Sequence, residues 1–81
     1  MKVYEIKDGS EVRGQVMMAI DAKPEQMEKI VKYMNEEFKY AWCQYEEEAE
    51  KKGEVSQFWV VSRADVAYFR AEFKKIKQQI K

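Results

Sequence analysis

The side chains with chemistry to offer in this chain are carboxylates, lysines, tyrosines and a single thiol, with no histidine among them. Without an imidazole, neither a Ser-His nor a Cys-His nucleophile pair nor a zinc site can be assembled within the chain, and one cysteine forms no internal disulfide framework. Cys43 has Lys39 as its basic neighbour within a helical turn, and reads as an incidental exposed thiol rather than a nucleophile. Glu46 and Glu50 have the one-turn spacing to share a cation, but a hard cation wants about six oxygens or more. Gly9, Gly14 and Gly53 are isolated, so no glycine-rich loop cradles a phosphate. No catalytic, cofactor-binding or metal-ligating residue emerges, and the expectation is a protein that is not an enzyme and takes no cofactor.

The elements that position these groups follow from hydrophobic spacing. Residues 1–21 read as a β-hairpin: Val3, Tyr4 and Ile6 precede the turn residues Asp8-Gly9-Ser10, and Val12, Gly14, Val16, Met18 and Ile20 then alternate along a second strand, with Met17 and Ala19 blurring the contrast. Pro24 suits a first helical position, where its missing N–H goes unneeded. From there Met27, Ile30, Val31, Met34, Phe38, Ala41, Trp42, Tyr45 and Ala49 keep to steps of 3 and 4. This spacing predicts one long amphipathic helix over 24–52, about 40 Å long and capped by Gly53. The apolar, β-prone run Phe58-Trp59-Val60-Val61 marks a third strand over 55–62 with both faces partly buried. Ser62 opens a C-terminal helix over 63–80, with Val66, Phe69, Phe73, Ile76 and Ile80 on its core seam.

The fold expected is therefore a single small α+β domain spanning 1–81, in the order ββαβα, with a three-stranded sheet and two helices packed on one face. A crossover through the long helix places the third strand parallel to the second and beside the first, in sheet order 2-1-3, which leaves an apolar strand at an edge. The chain has 81 residues, 46% of them hydrophobic, with only 3 Gly and 1 Pro, enough to fold around one core and too few for two domains. No apolar run reaches the length of a membrane span, and the segment Met1-Lys2-Val3-Tyr4-Glu5 lacks the apolar stretch of a signal peptide, so a cytoplasmic protein with no membrane partner is expected.

Function then rests on surfaces. Tyr33 and Tyr40, one heptad apart, flank Glu36 and approach Gln44 on the polar side of the long helix, which suggests an aromatic docking ridge. Charge is balanced overall but not along the chain: 13 acids against 9 bases over 1–54, net −4, and 2 against 6 over 55–81, net +4. Glu36, Glu37, Glu46, Glu47, Glu48 and Glu50 against Lys39 give −5 between residues 36 and 50, a strongly negative helix end. The leading expectation is a protein–protein interaction module, an inhibitor or regulator of the nucleic-acid-mimicking, anti-restriction or anti-CRISPR type. Its acidic surface, Tyr33, Glu36, Glu37, Tyr40, Gln44, Glu46, Glu47 and Glu50, would meet a basic site on another protein. The alternative is nucleic-acid binding by the basic flank Arg70, Lys74, Lys77 and Lys81 of the C-terminal helix. The apolar third strand also leaves room for a homodimer.

Overall fold

A computed structural model describes residues 1–6, 13–38 and 53–80, and the backbone of 42–46. Strand β1 (Lys2–Glu5) pairs antiparallel with β2 (Gln15–Ala22), and helix α1 (Pro24–Glu37) follows. Next come β3 (Trp42–Glu46), β4 (Val55–Ser62), a short 3-10 turn (Arg63–Asp65) and helix α2 (Val66–Gln79). The class is α+β, and the five expected elements are present in their order ββαβα. A further strand, β3, is inserted between α1 and β4, giving a four-stranded antiparallel sheet in the order β1-β2-β4-β3.

Three expectations are corrected here. The helix beginning at Pro24 ends at Glu37, not 52, and the chain from Trp42 to Glu46 is strand. Ending α1 early lets the β-prone Trp42–Glu46 segment pair with β4. Consequently β4 is a central strand, antiparallel to both β2 and β3, rather than a parallel edge strand beside β1. The strand that runs parallel to β2 is β3, separated from it by β4, which makes β2-α1-β3 a split β-α-β unit. This removes the edge liability of Phe58–Val61, since both sides of the β4 backbone are hydrogen-bonded. Finally, Gly14 and Gly53 do not sit where expected: Gly14 (φ 75°) is a turn residue before β2, and Gly53 (φ 78°) is a turn residue before β4 rather than a helix cap.

Local signals fix the helix starts. Pro24 is the first helical residue of α1, and the Gln26 side chain reaches back to accept the Lys23 N–H (3.1 Å). Ser62 Oγ accepts the Ala64 N–H (3.3 Å) and opens the 3-10 turn that leads into α2. Both helices cover one face of the sheet, as expected. Val16, Met18, Ile20 and Ala22 of β2, with Val55, Trp59 and Val61 of β4, form one buried cluster with Met27, Ile30, Met34, Phe38, Phe69, Phe73 and Ile76. Phe69 packs 5.6 Å from Trp59 and 5.1 Å from Phe38, and Trp59 Nε1–H donates to Asn35 Oδ1 (2.8 Å), so the indole is buried without an orphaned donor.

Candidate functional site

Among the described residues, the surface nominated by the sequence is divided between α1 and β3. Tyr33 does not stand on an exposed ridge: it packs against the core, and its hydroxyl donates to Glu72 Oε1 across the α1–α2 contact (3.0 Å). Glu36 is exposed in the last turn of α1, while Glu37 Oε2 accepts the hydroxyl of Tyr68 on α2 (2.8 Å). Gln44 and Glu46 belong to β3, opposite Phe58 and Ser56 of β4. Tyr40, Glu47, Glu48 and Glu50 lie outside the described residues. The expected acidic rod and its tyrosine ridge therefore lack the continuous helix they require. On the alternative surface, Arg70, Lys74 and Lys77 are exposed along α2, and Lys81 lies outside the described residues.

Where α1 meets α2 the polar groups close on one another. Glu72 is 3% exposed and is held between Tyr33 and Lys75, whose ammonium lies 2.7 Å from Oε2. The hydrogen bond from Lys75, reinforced by that from Tyr33, lowers the pKa of Glu72 against the cost of its burial. Hydrogen bonds to Glu72 and Glu37 raise the pKa values of Tyr33 and Tyr68 respectively, and that to Glu72 raises the pKa of Lys75. Tyr33, Tyr68, Glu72 and Lys75 are thus driven further into the ionisation states they already hold at neutral pH. That is what a static clamp between helices needs, whereas acid–base catalysis works best with a group poised near the operating pH. Among the described residues there is no cluster of three or more potential metal ligands. An open hollow of about 380 Å³ flanks the other side of α1, lined by Pro24, Met27, Val31 and Val55 with Glu28 and Gln57.

The other face of the sheet is organised differently. Alternation along β2 and β4 turns Met17, Ala19 and Asp21, and Ser56, Phe58 and Val60, away from the helices. Register then arranges cross-strand rungs. Ile6 and Val60 flank Met17; Tyr4 and Phe58 flank Ala19; Lys2 and Ser56 flank Asp21; and Gln15 opposes Ser62 at the far end. Tyr4, Ile6, Met17, Phe58 and Val60 are half-buried and stand outside the buried cluster under the helices. At the polar end Asp21 is 8% exposed, and its Oδ1 accepts the hydroxyls of Tyr4 (3.0 Å) and Ser56. A sheet with one solvated face ordinarily sets polar residues at these outward positions. Here two adjacent rungs are apolar and the rungs at both ends are polar, the arrangement of an interface core inside a polar rim. Among the described residues, no helix packs on this face. The signal for it lay in Met17 and Ala19 breaking the β2 alternation, and in β4 being apolar at successive positions.

Compared with protein-family models, curated proteins and solved structures, the chain matches none of them.

Proposed function

We propose that the protein is a non-enzymatic protein-binding module that docks through the helix-free face of its sheet. One observation carries this reading: the apolar rungs Ile6·Met17·Val60 and Tyr4·Ala19·Phe58 lie side by side across three strands, bounded by polar rungs at both ends. Contiguous exposed apolar area with a polar rim marks contact surfaces on soluble proteins. Methionine and aromatic side chains are enriched in the cores of such contacts, the first because it adapts its shape and the second because it supplies area with few rotors. The acidic segment is not the basis of the reading, because α1 stops at Glu37. Among the described residues no helix is long and apolar enough to cross a membrane.

The test is capture with paired baits. Wild-type protein retains its partner, and Met17→Lys or Val60→Lys loses it, because a charge buried in an apolar contact is left without compensation. Equal capture by folded wild-type and variant baits would overturn the reading. The exposed row Arg70, Lys74 and Lys77 favours a second reading, phosphate contact along α2. Oligonucleotide affinity that falls with salt, and falls further in Lys74→Glu, would support it.

A further inference from the structure

We propose that the occupant of this face is a second copy of the chain, packed sheet to sheet about a two-fold axis that runs across the strands. The inference rests on the docking role assigned to the face above and adds the identity of the partner. Four rungs are described: Lys2·Asp21·Ser56, Tyr4·Ala19·Phe58, Ile6·Met17·Val60 and Gln15·Ser62. A two-fold axis lying between the second and third rungs sets each apolar rung over the other apolar rung of the second copy. The same operation sets the charged rung over the neutral Gln15·Ser62 rung. No like charges meet, and the isologous requirement that one patch complement itself is met rung by rung. By register Trp42, Gln44 and Glu46 of β3 extend the third, second and first rungs, so the face carries Lys2 against Asp21 and Glu46, a net charge of only −1 with which to select a strongly basic partner.

Size agrees with a reversible contact. Strands β2 and β4 contribute about 20 Å each to the face and β1 and β3 about 13 Å each, which at about 4.8 Å between strands gives a footprint of about 320 Å² per copy. Two flat footprints amount to about 640 Å² before side-chain relief, the scale of a weak, transient contact rather than of a permanent interface. The dimer should therefore dissociate on dilution.

Light scattering across a hundredfold dilution tests the assignment. Wild-type mass is expected to move from twice 9.7 kDa at the concentrated end toward 9.7 kDa at the dilute end. Met17→Lys should remain at the single-chain mass throughout with an unchanged circular dichroism spectrum, and the milder Val60→Gln should shift the midpoint to higher concentration. A wild-type mass of one chain at every concentration overturns the second copy as occupant; the docking reading is then judged on the paired capture. A dimer that survives both substitutions is held by another surface and overturns the assignment of the second copy to this face; the docking reading is again judged on the paired capture. Should Met17→Lys fail to fold, an isotope-filtered NOE experiment on mixed labelled and unlabelled wild type decides the matter. Contacts between Val60 methyls and the Phe58 ring of the second copy are expected, and intermolecular contacts confined to α2 would contradict the proposal.

Discussion

Met17 and Met18 are neighbours on β2 and meet opposite environments. Met18 is fully buried beneath both helices beside Trp59, while Met17 lies half-buried between Ile6 and Val60 with no helix above it. The two faces of the sheet thus use similar side chains for different ends. The covered face is finished within one chain: aromatic rings at 5.0–5.6 Å link Tyr68, Phe38, Phe69 and Trp59, and among the described residues no buried side-chain polar atom lacks a partner. The other face leaves Tyr4, Ile6, Met17, Phe58 and Val60 half-buried around a fully buried Ala19, with none of the described helices over them. Stability is concentrated on the first face, and association is assigned to the second.

The largest expected effect belongs to the covered face. Phe69→Ala should cost about 3–5 kcal/mol in urea denaturation, because the ring contacts both Phe38 and Trp59 and its loss leaves a cavity that a packed core fills poorly. A loss below about 1 kcal/mol would place the core elsewhere. The adjacent methionines sharpen the contrast within one strand: Met18→Ala should cost about 2–5 kcal/mol, and Met17→Ala under about 1 kcal/mol when measured at concentrations that keep the chain monomeric. Equal losses would erase the distinction between the faces.

A smaller effect lies at the helix–helix clamp. The folded pKa of Glu72 is depressed, so its contribution to stability is present above its ordinary value of 4.5 and lost as the pH falls through the folded value. Wild type should lose melting temperature on acidification below about pH 4.5, and Glu72→Gln should flatten that loss. An unaltered acid profile in the variant would remove Glu72 from the clamp. Least affected should be Arg63→Ala, whose side chain pairs with Glu5 at 3.1 Å but is 49% exposed, so a change under about 1 kcal/mol is expected in the same denaturation assay.

Much of the architecture was legible because it depends on local pattern. Pro24 marked the start of α1, Ser62 the turn into α2, and the 3-4 spacing of Phe69, Phe73 and Ile76 the buried face of α2. The stretch after Phe38 was not legible. Trp42 and Tyr45 fall on the 3-4 spacing that continues α1, and neither glycine nor proline interrupts it before Gly53. What ends the helix is tertiary: Phe38 docks against Tyr68 and Phe69, and the following backbone gains a full ladder along β4. Periodicity within one segment carries no information about a strand about fifteen residues away that wants a neighbour. The candidate site was missed for a related reason. Tyr4, Met17 and Phe58 become a surface only once the β1-β2-β4 register brings them together, whereas charge runs such as 46–50 are conspicuous in the sequence before any fold is known.

The claim that the helix-free face is the docking surface is tested most directly by methyl NMR with a soluble paramagnetic probe. Spectra of dilute protein are compared with those of the assembled state, whether self-associated or bound to a captured partner. Methyl signals of Met17 and Val60 should be broadened by the probe in dilute protein and sheltered on assembly, with Met18 sheltered in both states and the Ala67 methyl on the exposed side of α2 broadened in both. Met17 and Val60 remaining as accessible in the assembled state as in the dilute one would contradict the account.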